Sequence, residues 1–198
     1  DEAEVAHEPE AAADDEPLPG MELATLPALW VVDHAARLAQ LQGEIGLLSQ
    51  DAKHAEAMDK LREELSGGGA SRRLAENLYL HLALGKTAVE LGDEEAAREA
   101  LARASELDPR DRSVLEAYGT LLGGLTPDVS LPVDRNLLLH HRRQLDPTAL
   151  SAVYRRLGKA RRAQGDLERA RVCFEQALEA RSDDREALDE LLETVKES

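Results

Sequence analysis

Residues 78–111 and 151–184 align over 34 positions without a gap. Leu84-Gly85-Lys86 falls on Leu157-Gly158-Lys159, and Gly92-Asp93 falls on Gly165-Asp166. Ala97 matches Ala170, Leu101 matches Phe174, and Ala104 matches Ala177. A chain that repeats at this period builds one small unit several times over. Such a unit covers its apolar face only by stacking on its neighbours. The spacing predicts a helical hairpin. In 151–163, Tyr154, Leu157, Gly158 and Arg161 share one helical face. Gly165 ends that helix, because glycine enters the left-handed conformation without a Cβ clash. Asp166 then caps the next helix by accepting backbone N–H bonds. In 167–180, Ala170, Phe174, Ala177 and Leu178 form the second apolar stripe. Gly158 and Ala177 are small, which lets the two helices approach closely. Asp108-Pro109 closes the first copy, since proline does not continue a helix.

These residues resemble the tetratricopeptide repeat family. Its pattern has a small residue at position 8, Gly at 15, Ala at 20, an aromatic residue or Leu at 24, Ala at 27 and Pro at 32. Residues 78–111 supply Gly85, Gly92, Ala97, Leu101, Ala104 and Pro109. Residues 151–184 supply Gly158, Gly165, Ala170, Phe174 and Ala177, with Ser182 in place of Pro. The family's large residue at position 11 is Ala88 in one copy and Arg161 in the other. The resemblance implies an all-α, right-handed superhelix of hairpins whose first helices line a concave groove. Positions 2, 5, 9 and 12 point into that groove. They fall on Tyr79, Leu82, Lys86 and Val89, on Ser113, Glu116 and Thr120, and on Ala152, Arg155, Lys159 and Arg162. Some members grip a peptide C-terminus with a Lys/Asn/Arg clamp. Here Leu82 stands at the first clamp position and no groove Asn is present, so chaperone tails are not the expected ligand.

Residues 112–149 should hold a further unit, with Leu115, Tyr118, Gly119 and Leu122 on its first helix. Four surplus residues are expected in a long turn, Gly123-Gly124-Leu125-Thr126-Pro127, before a second helix over about 132–145. That helix carries Leu137, Leu138, Leu139 and Leu145, with Leu139 and Arg142 at positions 24 and 27. Residues 185–197, with Leu188, Leu191, Leu192 and Val195, read as the capping helix a solenoid needs over its last open face. Segment 27–65 has two readings. Gly43-Glu44 resembles the two Gly-Asp turns, which makes a divergent hairpin. Leu38, Leu41, Ile45, Leu48, Ala52 and Ala55 also form a heptad-like seam, which makes one coiled-coil helix. Gly43 and Gly46 would each cost such a helix about 1 kcal/mol, which favours the hairpin. Ser66-Gly67-Gly68-Gly69 is expected to be a flexible break.

The formal net charge is −16, and its placement matters more than its size. Residues 1–20 hold eight acids and no Lys or Arg, with only Val5 and Leu18 as larger apolar groups. Such a segment cannot offset its ordering entropy and is expected to be a disordered acidic tail. Residues 151–171 hold seven bases against Asp166 and Glu168, so a basic face lies inside an acidic chain. Arg155, Lys159 and Arg162 share one side of it, which suggests a site for an acidic or C-terminal peptide. The tail could also fold back onto this face. The overall acidity argues against nucleic acid as a partner. No stretch reaches the roughly 20 apolar residues of a membrane span. A single cysteine forms no internal disulfide. The skew of 19 Arg to 5 Lys points to a high-GC bacterial genome, and so to a bacterial cytoplasm or periplasm. An initial Asp in place of Met suggests a processed or excised chain.

Catalytic chemistry is not expected. Gly85-Lys86-Thr87 ends like a phosphate-binding loop, but Leu80 stands where its first Gly belongs. Asp51 with His54, and His140 with His141, lack a fuller metal-ligand spacing. Cys173 reads as an inert thiol beside Phe174, and Trp30 as a core residue of the first hairpin. No catalytic residue, metal or cofactor is expected. The leading functional reading is a non-enzymatic protein–protein interaction scaffold that holds a peptide or partner in the groove. The expected groove residues are Tyr79, Leu82, Lys86, Glu116, Thr120, Arg155, Lys159 and Arg162. Two alternatives are an adaptor that oligomerises through an N-terminal coiled coil and a regulatory domain excised from a larger protein.

Overall fold

The computed structural model describes residues 34–67, 73–125 and 127–198, without the side chains of His34 and Asp128. The acidic segment 1–20 and Trp30 lie outside the described residues, as does its suggested return onto the basic face. The described residues form nine α-helices and no strand.

The two matching copies are helical hairpins. One pairs α3 (Leu74–Leu91) with α4 (Glu94–Leu107), and the other pairs α7 (Pro147–Ala163) with α8 (Leu167–Ala180). Gly92 and Gly165 take φ of 73° and 76°, the left-handed conformation that ends each first helix. Asp93 and Asp166 cap the second helices, accepting from Ala96 N at 3.1 Å and Arg169 N at 3.2 Å. The small residue in each first helix is where the helices meet. A Cβ at Gly85 would strike the Leu101 side chain, and one at Gly158 would strike the Phe174 ring. Leu101 and Phe174 are fully buried.

Between them stand α5 (Arg112–Leu125) and α6 (Pro127–His141), followed by a 3-10 turn, Arg142–Gln144. The long turn expected at 123–127 is not there. Helix α5 ends at the same position of its unit as α3, and the surplus residues fall in α6 and the 3-10 turn; α6 starts at Pro127 and runs through Pro132. The register of α6 shifts as a result. Its inward face is Ser130, Asp134 and Leu137, all fully buried. Leu139 and Arg142, expected at core positions, point outward, and Leu139 is 77 % exposed. In this unit Gly119 faces the Asp134 carboxylate where the neighbouring units present Leu101 and Phe174.

The N-terminal part departs from expectation at its turn. Helix α1 (His34–Gln50) runs unbroken through Gly43 and Gly46, and α2 (His54–Gly67) follows. The break comes at 51–53, with Ala52 at φ 56° and Lys53 N donating to Leu48 O at 2.8 Å. The Gly43-Glu44 turn and a single helix across 27–65 are therefore both corrected. Ser66 and Gly67 complete α2, and the rest of the glycine break lies outside the described residues. The apolar seam faces its own chain. Leu41 and Ile45 pack with Ala57 and Leu61 of α2 and Leu80 and Ala83 of α3.

Helices α3, α5, α7 and the C-terminal α9 (Arg185–Glu197) touch in turn and form one layer. Each of α4, α6 and α8 packs between two of them. Helix α9 turns Ala187 and Thr194 inward and leaves Leu188, Leu192 and Val195 about half exposed. Leu192 lies 34 residues after Gly158, the position that meets the second helix in its own unit.

Two glycine substitutions separate packing from propensity. Gly158→Ala is expected to destabilise by about 1–3 kcal/mol, because the Phe174 ring has nowhere to move. Gly43→Ala, with nothing within 4 Å of the added carbon, is expected to stabilise by up to ~1 kcal/mol. Urea denaturation of both variants checks the opposite signs.

Candidate partner-binding groove

The layer of first helices carries two adjoining hollows. The first, about 580 Å³, lies between α3 and α5 and is lined by Lys86, Val89, Glu116, Thr120, Leu121 and Leu125, among others. Val89 and Leu125 are 44 % and 37 % exposed, apolar surface that the fold leaves open. Glu90 and Glu94 join Glu116 on its wall, so three acids face one lysine. Glu116 is oriented by Arg112, whose Nε donates to Oε1 at 2.7 Å. Thr120 Oγ1 donates to the Glu116 carbonyl at 2.8 Å. Lys86 is exposed and has no carboxylate partner among the described residues. The second hollow, about 300 Å³, is lined by Thr120, Gly123, Gly124, Ala152, Arg155 and Lys159, with Arg156 and Glu186. Thr120 and Gly124 belong to both hollows, so the groove is continuous from α3 to α9.

The expected groove residues divide into three groups. Lys86, Glu116 and Thr120 line the first hollow, with Val89 and Ser113 beside them. Arg155 and Lys159 line the second. Tyr79, Leu82 and Arg162 line neither. Tyr79 is half-buried against the Leu41, Ile45 and Leu61 cluster, and burial pushes its hydroxyl pKa up. Leu82 is half-buried in α3. The first hollow also takes in Gly124 and Leu125, which the sequence places in a turn, and Leu121, which lies outside the four groove positions.

The basic face is not a free anion site. All seven bases of 151–171 are paired within the chain. Arg155 meets Asp184 at 3.2 Å and also Glu186. Lys159 meets Glu186 at 2.8 Å and Glu190 at 3.3 Å. Arg162 meets Glu190 at 2.8 Å and Glu193 at 3.6 Å. Arg156 holds buried Asp134. Arg161 and Arg169 meet Asp166, and Arg171 meets Glu175. Glu186, Glu190 and Glu193 repeat the i, i+4, i+7 spacing of Arg155, Lys159 and Arg162, so two helix faces form a charge ladder. That matching spacing was the available signal. Each exposed rung contributes only about 0–1 kcal/mol.

Little here supports chemistry. Gly85-Lys86-Thr87 sits inside α3, where the backbone N–H groups are bonded along the helix and cannot cradle a phosphate. Burial pushes the Cys173 thiol up, away from the thiolate form, with Arg161 opposing and Asp166 adding. His141 Nε2 is 2.6 Å from the Arg110 carbonyl, a structural contact between α6 and the preceding loop. Among the described residues no group of three metal-ligating side chains occurs, and no helix is long and apolar enough to cross a membrane.

Tetratricopeptide repeat families match residues 151–184 and, separately, residues 78–111. No curated protein matches the chain in sequence. Several solved structures share its fold. A MamA crystal structure is 14 % identical with a TM-score of 0.66, covering 80 % of this chain and 81 % of its own. YrrB, described as a TPR protein with an unusual peptide-binding site, is 19 % identical with a TM-score of 0.62, over 78 % and 74 % of the two chains. The first TPR of Spaghetti (RPAP3), bound to an HSP90 peptide, is 20 % identical with a TM-score of 0.53, over 62 % and 93 %.

Proposed function

From the two tetratricopeptide repeats at residues 78–111 and 151–184 we propose that the chain is a non-enzymatic scaffold holding a protein segment in the groove between α3 and α5. The observation that carries this reading is the first hollow. It combines exposed apolar walls at Val89 and Leu125 with a few polar groups at Lys86, Glu116 and Thr120. An apolar anchor fills such a hollow, and the polar groups set its orientation. The acids Glu90, Glu94 and Glu116 favour a segment whose flanks are basic or neutral. The α7 end offers an acidic peptide little, because α9 already satisfies its bases. Two of the structures that share the fold bind peptides by their own descriptions, which supports a peptide ligand in general.

Selection of ligands from a random-peptide display library tests the reading. Peptides enriched on the wild-type chain should carry an apolar anchor. They should bind the Lys86→Glu/Val89→Asp/Thr120→Arg variant at least about tenfold more weakly, roughly 1.4 kcal/mol. All three side chains are exposed; Thr120 also accepts from Arg156 Nη1 at 3.4 Å, so the urea midpoint of the variant checks that the Arg156–Asp134 pair is kept. Equal binding to wild type and variant would remove this hollow as the site.

A further inference from the structure

A second surface stands apart from the groove, on the outward side of α6. Leu139 is 77 % exposed, more than any other large apolar residue among those described. It flanks a hollow of about 650 Å³ with Pro132, Leu138 and Tyr154, and Arg135 and Arg142 stand on its rim. The register shift of α6 turned this leucine out of the core. Nothing in the packing of the unit uses it.

The charges around it set this surface apart. Arg135, Arg142 and Arg143 have no carboxylate partner among the described residues, and neither does nearby Arg110. The seven bases of 151–171 are all paired, so the uncompensated positive charge of this region gathers at the end of α6. Arg142 lies over the Tyr154 ring, 5.9 Å from its centre, which steadies the guanidinium at the rim. Arginine presents planar paired donors that match a carboxylate, and arginines beside an open apolar pocket are a common make-up of binding hot spots.

We propose that the α6 hollow is a docking site for an acidic segment of a separate protein, with Leu139, Leu138 and Tyr154 taking one large apolar side chain and Arg135 and Arg142 taking flanking carboxylates. This goes beyond the groove reading, because it uses another face and the opposite ligand charge. The two surfaces would let the chain hold two partners of opposite sign at once.

Fluorescence anisotropy with the full chain tests it. The probe is a fluorescein-labelled peptide, EEDLDEE, at 50 mM salt. Saturable binding is expected, and EEDSDEE should bind at least about tenfold more weakly because it lacks the apolar anchor. Arg135→Glu/Arg142→Glu should weaken EEDLDEE by a similar factor, as should Leu139→Ser and 0.5 M salt. The groove variant Lys86→Glu/Val89→Asp/Thr120→Arg should bind it like wild type. The altered α6 residues are exposed, and unchanged circular dichroism melts would show that both α6 variants fold. Binding that survives Arg135→Glu/Arg142→Glu, or no binding at all, overturns the proposal. Self-association lost on the same substitutions in sedimentation equilibrium also overturns it, by assigning the face to a second copy.

Discussion

Arg156→Ala is expected to cost the fold about 3–5 kcal/mol, seen as a lower urea midpoint at an unchanged slope. Asp134 is fully buried, and Arg156 is the cation that grips it. Arg156 Nε donates to the two carboxylate oxygens at 3.0 and 3.1 Å, and Nη2 donates to Oδ1 at 2.5 Å. Truncation leaves a carboxylate inside the protein without its countercharge. The pair occupies the place where the neighbouring units use an apolar knob. Gly119 faces Asp134 as Gly85 faces Leu101 and Gly158 faces Phe174. The double variant Asp134→Leu/Arg156→Leu should therefore recover most of the loss, because the leucine takes the apolar place beside Gly119. A double variant as unstable as the sum of its singles would show that packing, not charge, sets the cost.

The same pair makes a pH prediction with a definite sign. Burial pushes the Asp134 carboxyl above its ordinary value of 3.8, and Arg156 and Ser130 pull it back only in part. A raised folded value means that the native chain holds this proton more tightly than the unfolded chain. The residue's contribution is then complete below the ordinary value and falls as pH rises through the raised one. Removing Arg156 takes away the group that opposes the rise. The deficit of Arg156→Ala should therefore narrow as pH is lowered from 7 towards 4. A deficit constant across that range would count against the buried charge as its cause.

How far the sequence could be read depended on whether the signal was local. Gly92, Gly165, Asp93 and Asp166 act on the residues beside them, so turn and cap were legible together. Gly85 and Gly158 were legible because a repeat puts the same close approach in the same register. The third unit was not, since Gly123 and Gly124 suggest a turn by propensity, while α5 runs through both and Gly123 packs against the Arg156 side chain of α7. A turn placed there puts Leu139 and Arg142 at core positions and takes Leu125 out of the groove. The glycines Gly43 and Gly46 misled in the same way at α1. The charge ladder failed for a different reason. Counting charge along 151–171 finds a basic face, but the acids that neutralise Arg155, Arg156, Lys159 and Arg162 come from the α9 end and α6, which only the tertiary fold brings alongside.

Asp184→Ala should loosen α9 from the array at a cost of about 2–4 kcal/mol. Asp184 is 2 % exposed and joins three elements. Its Oδ1 accepts from Ala187 N at 3.2 Å and so caps α9. Its Oδ2 accepts from Ser151 Oγ at 2.6 Å, with Arg155 Nε at 3.2 Å and Arg181 Nη2 at 3.4 Å. A lost cap costs about 1 kcal/mol, and a lost hydrogen bond to a buried charge about 1.5–3. Hydrogen exchange should show α9 amides losing protection while α3 to α8 keep theirs. Burial alone would raise the Asp184 carboxyl, but Ser151, the Ala187 N–H, Arg155 and Arg181 together hold it below 3.8. A lowered folded value gives stability that is complete above the ordinary value and is lost as pH falls through the lower one. Wild type should therefore lose stability below about pH 4, more steeply than Asp184→Ala. Glu186→Gln/Glu190→Gln/Glu193→Gln removes the carboxylate side of the ladder and keeps the cap. Its loss should be smaller and should vanish in 0.5 M salt, whereas that of Asp184→Ala should persist. If α9 kept its protection in Asp184→Ala but lost it in the triple variant, the ladder rather than the buried cap would be what secures the end of the array.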